Sequence, residues 1–247
     1  MEKKVALVSG SSRGIGKGIA KRLIESNYIV YINGRDLESL ERTKSELDAE
    51  VKLIVSDLSI DLNIKQTVEK IFKDEGRLDL VVANIGSGKS ALGWNVDIKE
   101  YKRVFEINFF SAVSLATYSV EVMSQRGGHI VFISSIAGCE SLGAPITYGS
   151  AKTALLGFAK NLSNEVAKLK IRVNSISPGN VMFDGSTWDD KIKKNKEAVE
   201  EYIEKNVPLN GFATPQDIAK AVMFLEESSF ITGANIVVDG GQINKII

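Results

Sequence analysis

Strand-length apolar runs alternate with helical patterns along nearly the whole chain. The apolar runs cover residues 4–9, 29–33, 51–55, 78–83, 129–135, 171–176 and 234–241. Runs of this kind are typical of parallel strands that are buried on both faces of a sheet. Because repeated βα units place helices on both faces of a parallel sheet, the sequence predicts an α/β fold with a doubly wound, seven-stranded parallel sheet.

Helices are predicted between these strands, over residues 15–26, 37–48, 60–75, 101–125, 148–168 and 215–225. Thr214 and Pro215 suit the N-cap and first turn of the last one. The chain has 247 residues, 44% of them hydrophobic, which is enough for one large core. The pattern shows no linker or internal repeat, so we predict a single domain over residues 1–247.

Charge, cysteine and histidine content exclude several classes of function. Basic and acidic residues both number 31, which gives the whole chain no bulk attraction for nucleic acid or an anionic membrane. A single cysteine, Cys139, and a single histidine, His129, exclude an intrachain disulfide and a Cys/His zinc cluster. The N-terminal apolar run is too short for a signal peptide, and no run of 18 apolar residues occurs. We therefore expect a cytoplasmic protein without a metal.

Three hydrogen-bonding side chains stand out in residues 133–152, ISSIAGCESLGAPITYGSAK. Tyr148 and Lys152 are four residues apart, so on a helix they share one face. A nearby ammonium stabilises a phenolate and lowers the pKa of the tyrosine. Ser135 ends a predicted strand at the carboxyl edge of the sheet, where open α/β sheets bind ligands. The alternative is an ordinary helix start, with Thr147 as a cap and Lys152 solvated.

A glycine-rich turn, SGSSRGIGKG, follows the first strand and opens a helix. Gly10, Gly14 and Gly16 allow a tight turn and a close approach of the backbone to a pyrophosphate at the helix N-terminus. The spacing is G-x3-G-x-G, and glycine could equally serve a purely steric need at such a turn.

The end of the second strand bears on the choice of cofactor. An acidic residue there selects NAD, whereas a cation accommodates the 2′-phosphate of NADP. We expect Arg35, helped by Arg13, to hold that phosphate through a forked guanidinium contact. Asp36 could instead bind the ribose hydroxyl or pair with Arg35, and a solvated turn that caps the next helix is a further alternative.

Polar groups also follow the third and fourth strands, and one lies within a helix. Asp57 and Leu58 are placed to meet an adenine edge, and Asn84 and Gly86 to approach the ribose, although turn chemistry explains both pairs equally. Asn108 lies within the apolar stretch FEINFF and needs hydrogen-bond partners. It is either a structural amide or the holder of a water that links the lysine to solvent.

Residues 182–210 interrupt the βα alternation with a polar insertion that carries one or two helices and few core positions. Loosely packed segments over a ligand edge are natural lids. Phe183 and Trp188 are its candidate substrate-facing groups. They are equally suited to anchoring the lid to the body of the protein.

The chain resembles the short-chain dehydrogenase/reductase family over essentially its whole length. The match rests on ordered motifs: the glycine turn, Asp57-Leu58, ANIG at 83–86, Asn108, Ser135, YGSAK at 148–152 and SPGNV at 177–181. The resemblance implies a Rossmann-like fold and hydride transfer between a nicotinamide and a carbonyl or secondary alcohol. It also implies cofactor contacts from Gly10, Ser11, Ser12, Arg13, Gly14, Ile15, Gly16, Arg35, Asp57, Leu58, Asn84, Gly86, Tyr148, Lys152, Pro178, Gly179 and Val181.

By the same resemblance, Ser135 orients the substrate carbonyl and Tyr148 donates or accepts the proton. Lys152 lowers the tyrosine pKa and binds the nicotinamide ribose, and Asn108 holds a water of the proton relay. We expect NADP(H) in preference to NAD(H), and a homotetramer or a dimer, since related members are commonly tetramers.

Within the family, the glycine turn and the closing VVDGG look most like 3-oxoacyl-acyl-carrier-protein reductases. The expected substrate is thus a carbonyl on a small molecule or an acyl carrier protein. Three positions depart from that pattern: Ala83 replaces an asparagine, Phe183 a threonine, and Leu169 one of two basic residues, Arg126 matching the other. A sugar or sugar nucleotide is the alternative substrate, and a non-catalytic NADPH-binding regulator is a third hypothesis.

Overall fold

The structure is a computed structural model that describes residues 2–47 and 51–244. Its centre is a seven-stranded sheet in the order β3-β2-β1-β4-β5-β6-β7, and every pairing between neighbouring strands is parallel. The strands are β1 Val5–Val8, β2 Ile29–Gly34, β3 Lys52–Val55, β4 Leu80–Ala83, β5 Gly128–Ile133, β6 Ile171–Pro178 and β7 Asn235–Val238. The order reverses direction between β1 and β4, which is where such sheets open a ligand crevice.

Nine α-helices lie within the described ranges. They are α1 Gly14–Glu25, α2 Leu37–Leu47, α3 Asp61–Glu75, α4 Ile98–Phe105, α5 Ser111–Met123, α6 Ile146–Val166, α7 Thr187–Lys194, α8 Lys196–Asn206 and α9 Pro215–Glu227. One apolar cluster packs α3, α5 and α6 against one face of the sheet. A second packs α1, α2 and α9 against the other face. The predicted doubly wound, Rossmann-like fold is therefore confirmed.

Local signals explain most element boundaries. Strands β1 and β4 are buried along their whole length, as their continuous apolar sequences predict. Helix α9 begins with the capping box of Thr214 and Asp217, with Pro215 in the first turn. The predicted end of the second helix, Asp48, lies outside the described residues.

Two regions differ from the prediction in detail. The helix predicted over residues 101–125 starts earlier, at Ile98, and contains a π-helical turn, Glu106–Phe110, between α4 and α5. The lid forms two helices, α7 and α8, around a small apolar cluster of its own, Val199, Ile203 and Val207. It is thus better packed than its polar sequence indicates. Within the described ranges, no helix is long and apolar enough to cross a membrane.

Candidate active site

The carboxyl ends of β5 and β6 border a cavity of about 810 Å³. Ser135, Tyr148 and Lys152 all line it. Ser135 lies two residues beyond β5 and caps a short 3₁₀ turn, its hydroxyl accepting a hydrogen bond from the Ala137 amide at 3.2 Å. The three candidate catalytic side chains therefore meet in one place, as the sequence predicts.

Lys152 is buried, with 3% of its surface exposed. Its ammonium donates a hydrogen bond to the Ile133 carbonyl at 2.9 Å and lies 5.8 Å from the centre of the Tyr148 ring. Thr147 does not cap α6 but lies inside it, with its hydroxyl 2.6 Å from that of Ser90. The alternative of a solvated lysine beside a capping threonine is therefore wrong.

Burial governs the acid–base properties of the Tyr148–Lys152 pair. It lowers the pKa of Lys152 to about 8 and raises the pKa of Tyr148, an effect that a hydrogen bond with Ser135 opposes. Burial disfavours the charged form of each group, which explains the opposite directions. The structure does not show the lowered tyrosine pKa expected from Lys152, and that role of the lysine stays a prediction.

Asn108 occupies the π-helical turn, and such turns often occur at functional sites. Its Nδ2 donates to the carbonyls of Val104 at 3.0 Å and Ser87 at 3.1 Å, and its Oδ1 accepts from the Ser87 amide at 2.9 Å. A Cβ atom built on Gly86 would lie 2.8 Å from Asn108 Oδ1 and 3.1 Å from Lys152 Nζ. Asn108 is therefore structurally engaged and still close to the lysine, and its role in holding a water stays a prediction.

The turn after β1 is shaped for a close-approaching ligand. Gly10 and Gly14 have φ values of +60° and +56°, in the region that favours glycine. A Cβ atom on Gly16 would lie 2.5 Å from the Gly10 carbonyl oxygen. The cradle thus exists only because these positions lack side chains. It leads into the N-terminus of α1, and these residues fit the pyrophosphate of a dinucleotide.

Several predicted cofactor residues in this region are occupied by structural contacts. The Ser11 hydroxyl is buried and donates to the Val8 carbonyl at 2.7 Å. Asn84 Nδ2 donates to the carbonyls of Ser9 and Gly10, at 3.1 and 2.9 Å, and so ties the β4 loop to the glycine turn. The Ser12 carbonyl accepts from Thr43 at 2.6 Å. Ile15 borders the cavity.

At the end of β2, Arg35 extends into solvent with 80% of its side chain exposed. Its Nη1 lies 3.9 Å from Asp57 Oδ2. Hydrogen bonding from Ser59 is the main cause that lowers the pKa of Asp57. Arg13 is exposed beside the lid, with Nη1 3.1 Å from a Cβ atom built on Gly185.

The predicted adenine contact of Leu58 needs correction. Its side chain is 1% exposed and belongs to the core cluster beneath α3. An apolar side chain following a strand packs inward when the next helix covers it. Only the backbone of Leu58 remains for a ligand contact.

Pro178, Gly179 and Val181 lie at the carboxyl end of β6 and border the cavity. A Cβ atom on Gly179 would lie 2.8 Å from the Asp239 Cα, so glycine lets the loops after β6 and β7 approach closely. Phe183 places its ring against Gly14, where a built Cβ atom would lie 2.5 Å from the ring. It thus connects the lid to the glycine turn.

Trp188 also borders the cavity, in a stack with other aromatic side chains. The Trp188 ring centre is 5.1 Å from the Tyr202 ring centre and 5.5 Å from the Phe212 ring centre. The Lys191 ammonium lies 4.1 Å from the Trp188 ring centre. Phe183 and Trp188 therefore both pack in or against the lid and line the cavity. Substrate contact stays a prediction for both.

Sequence reasoning missed two kinds of cavity residue. Asn180 and Gln242 contribute buried amides, and the lid contributes Lys191 and Lys194. In the sequence, the polar positions in SPGNV and VVDGGQ are only a weak signal for these two amides. The amides come to the same cavity only through the order of the strands in the sheet. His129, the single histidine, is buried, and its Nδ1 lies 2.9 Å from Glu226 Oε2. Within the described ranges, no group of three or more His, Cys, Asp or Glu residues could hold a metal ion.

A doubly wound parallel sheet with a glycine cradle after β1 and a tyrosine–lysine pair on the cavity at its carboxyl edge defines an oxidoreductase that uses a nicotinamide dinucleotide. Comparison with known proteins agrees. The family model described as enoyl-(acyl carrier protein) reductase matches residues 10–242. The chain belongs to the short-chain dehydrogenase/reductase family.

Relatives and solved structures match nearly the whole chain. Carbonyl reductase family member 4 from Xenopus laevis is 36% identical, over 96% of this chain and 97% of that protein. A 3-oxoacyl-[acyl-carrier-protein] reductase from Chlamydia muridarum is 35% identical, over 97% of each. The L-sorbose reductase of Gluconobacter frateurii, solved with NADPH and L-sorbose, is 28% identical with a TM-score of 0.91, over 99% of this chain and 98% of that one.

Proposed function

We propose that this protein is an NADPH-dependent reductase that converts a ketone to a secondary alcohol, or catalyses the reverse reaction. The observation that carries this proposal is the meeting of Ser135, Tyr148 and Lys152 on one cavity beside the glycine cradle. A bound nicotinamide supplies or accepts the hydride.

The side chains have separate tasks in this reaction. Ser135 orients the carbonyl by donating a hydrogen bond to its oxygen. Tyr148 donates its phenolic proton to the same oxygen as negative charge develops there. Lys152, held by the Ile133 carbonyl, stabilises the phenolate that remains, and its protonated form is favoured below a pKa of about 8.

The preference for NADPH rests on the end of β2. The exposed Arg35 is free to swing toward a 2′-phosphate, since its nearest acidic partner, Asp57, is 3.9 Å away. Asp36, which could have bound a ribose hydroxyl, instead accepts a hydrogen bond from the Ser39 amide at 2.7 Å. These two contacts support Arg35 as the side chain that meets a 2′-phosphate.

The best candidate substrate is a 3-oxoacyl thioester on an acyl carrier protein, supported by the relatives that are named for this activity. Arg126 and its basic neighbours Lys168 and Lys170 are exposed. They lie at the amino ends of β5 and β6, roughly 20 Å from the catalytic edge by the length of β5. An acidic carrier protein bound at these residues would deliver its substrate less readily to the cavity of the same chain than to the cavity of an adjoining copy.

A sugar or another polar ketone is the second candidate. The similarity to L-sorbose reductase favours it, as does the polar lid, whose Lys191 and Lys194 border the cavity together with Asp190. A cavity of about 810 Å³ accommodates either class of substrate.

We also propose a single catalytic domain in a cytoplasmic homotetramer or dimer. Large apolar side chains are exposed at the β7 edge of the sheet and beside α5: Phe230 fully, Phe110 to 49% and Val237 to 37%. Apolar side chains at an open sheet edge are suited to contact between copies.

The test combines a ketone panel with Tyr148→Phe. The panel contains an acetoacetyl thioester, a keto-sugar nucleotide and a hydrophobic cyclic ketone, each assayed with NADPH and with NADH. We expect Tyr148→Phe to abolish turnover and to leave NADPH affinity nearly unchanged, while the control Tyr101→Phe keeps full activity. Equal activity of Tyr148→Phe and the natural protein would refute the assigned proton donor.

The panel also separates the two substrate candidates. Turnover of the thioester supports the acyl substrate. Turnover of the keto-sugar alone discards the acyl substrate but keeps the mechanism. Cofactor binding without turnover of any ketone would favour the non-catalytic regulator.

A further inference from the structure

Two buried amides in the cavity wall each have one atom without a hydrogen-bond partner among the described residues. Asn180 is 9% exposed and Gln242 is 7% exposed, and both line the cavity that holds Ser135 and Tyr148. Within residues 2–47 and 51–244, Asn180 Nδ2 and Gln242 Oε1 are buried and unpaired. The third such atom, the Ser175 hydroxyl, lies within β6 and away from the cavity. Buried polar groups are almost always paired, so the two amides need a partner from outside the chain.

The backbone on both sides of each amide is fixed. The Asn180 carbonyl accepts from the Ala213 amide at 2.9 Å. The Asp239 carboxylate accepts from the Gly241 amide at 2.9 Å and from the Ile243 amide at 2.8 Å, one on each side of Gln242. The amides are therefore placed before any ligand arrives, which reduces the entropy lost on binding.

Gln242 is also held through its side chain. Its Nε2 donates to the Tyr202 hydroxyl at 2.9 Å, and Tyr202 stacks on Trp188 in the lid. One half of the amide thus braces the cavity wall, and the other half is unsatisfied.

The strand order places the amides in line with the catalytic groups. Ser135 follows β5, Asn180 follows β6 and Gln242 follows β7, and these three strands are neighbours in this order. Neighbouring strands are roughly 5 Å apart. A substrate whose carbonyl binds at Ser135 and whose other atoms extend toward β7 therefore passes Asn180 and then Gln242.

We propose that Asn180 and Gln242 form a specificity subsite for a substituent that both accepts and donates a hydrogen bond, roughly 5 to 10 Å from the reacting carbonyl. A hydroxyl or a secondary amide meets this requirement, because its oxygen accepts from Asn180 and its O–H or N–H donates to Gln242. The inference rests on the proposed carbonyl reduction. Substrates without the group leave both amides unpaired, which is a strong basis for discrimination.

Two pairs of matched ketones test whether the recognised substituent is a hydroxyl or a secondary amide. In the first, 4-hydroxycyclohexanone is compared with 4-methylcyclohexanone, so that a hydroxyl is exchanged for a methyl group. In the second, the acetoacetyl thioester of N-acetylcysteamine, which carries an amide, is compared with S-pentyl acetoacetate. We expect kcat/KM to favour the polar member of at least one pair about tenfold or more, mainly through KM.

The variants Asn180→Leu and Gln242→Met keep side-chain size and remove the amides. Each should reduce the preference for the polar ketone, measured as the ratio of kcat/KM for the two members of a pair, by about tenfold. The control Gln216→Met removes an exposed amide on α9, outside the cavity. It should change neither the preference for the polar ketone nor the rate with the apolar ketone. The unfolding temperature of Asn180→Leu should not fall, because its side chain forms no bond to lose.

A preference that both variants leave intact, or no preference in the natural protein, overturns the subsite. If no ketone is reduced with either nicotinamide, the proposed function fails, and the subsite is then judged by binding alone. In that case the polar ligand of a pair should raise the unfolding temperature of the natural protein more than its apolar partner does. The same rise in both variants would overturn the subsite.

Discussion

Asp36 caps α2 by accepting a hydrogen bond from the Ser39 amide at 2.7 Å. An aspartate just after β2 would indicate an NAD site if its carboxylate faced the ribose. Here the carboxylate is bound to the helix N-terminus, where the helix dipole stabilises its negative charge. This leaves Arg35 as the proposed cofactor contact at this strand end.

Arg35→Ala should weaken NADPH binding about tenfold or more and change NADH binding by less than about twofold, because a charge-assisted bond to a phosphate is worth roughly 1.5 to 3 kcal/mol. Titration of each cofactor by fluorescence gives the two dissociation constants. Arg42→Ala, an exposed arginine on α2, is the control. Equal losses for both cofactors would mean that Arg35 does not contact the phosphate.

Lys152→Met should make the protein more stable at pH 7 and inactive. Burial lowers the pKa of Lys152 from 10.5 to about 8, so the folded state is destabilised by the charge below pH 8. Removing the charge gains about 3 kcal/mol and losing the Ile133 hydrogen bond costs about 1 kcal/mol, a net gain of about 2 kcal/mol.

The sign of this effect is checked by its pH dependence. The folded state holds fewer protons than the unfolded state between pH 8 and 10.5, so the natural protein gains stability as the pH rises through that window. The advantage of Lys152→Met in urea unfolding should therefore shrink above pH 8. Lys160→Met, on the exposed side of α6, should show neither effect.

Gly86→Ala should lower kcat at least about tenfold, since misplacing catalytic groups by a fraction of an ångström is costly. The added Cβ atom would lie 2.8 Å from Asn108 Oδ1 and 3.1 Å from Lys152 Nζ. Gly88→Ala is a matched control, because nothing lies within 4 Å of its added atom. Similar rates for the two variants would show that the space around Asn108 and Lys152 does not limit turnover.

Gly14→Ala should destabilise the protein by more than its backbone strain alone. Strain at positive φ costs about 1 kcal/mol, and the added atom would also lie 2.5 Å from the Phe183 ring. Gly76→Ala, with φ of +68° and nothing within 4 Å, measures the strain alone. In a Phe183→Ala background the cost of Gly14→Ala should fall to the Gly76→Ala value, as read from urea unfolding. An unchanged cost would place the Phe183 ring elsewhere.

Glu226→Gln should remove about 3 kcal/mol of stability at pH 7. Although burial opposes its ionisation, hydrogen bonds from His129, Lys4 and Tyr28 lower the pKa of Glu226 from 4.5 to about 2. The ionised carboxylate therefore stabilises the fold above pH 4.5, and this contribution is lost as the pH falls toward 2.

The stability difference between Glu226→Gln and the natural protein should accordingly narrow below pH 4.5 in thermal unfolding. Glu227→Gln changes an exposed neighbour and serves as the control. A difference that stays constant down to pH 2 would contradict the assigned linkage.

Short-range signals account for what the sequence predicts well. The glycine turn, the Tyr148–Lys152 spacing and the alternation of apolar runs each lie within a few residues, so they are visible without a fold. Leu58 could not be placed correctly, because its inward orientation depends on the helix that covers it. Asn180 and Gln242 are 62 positions apart in the sequence. They line the same cavity only because β6 and β7 are neighbouring strands.

The π-helical turn and the burial of Lys152 were also beyond the sequence. The π-helical turn covers only five residues, too few to show in the apolar pattern, and FEINFF gives no sign of it. Whether a lysine is ionised depends on how deeply it is buried. The burial of Lys152 comes from the sheet, the loop at Gly86 and α6 together, so it cannot be read from the sequence alone.

The lid rests on its own apolar cluster, Val199, Ile203 and Val207, separate from the two clusters that flank the sheet. Mutations in α7 and α8 can therefore reshape one wall of the cavity while the sheet and the proton donor keep their packing. Evolution can treat this segment as an exchangeable cassette. Grafting α7 and α8 of a relative onto this scaffold, with Phe183 retained against the glycine turn, is accordingly a direct route to a new substrate range.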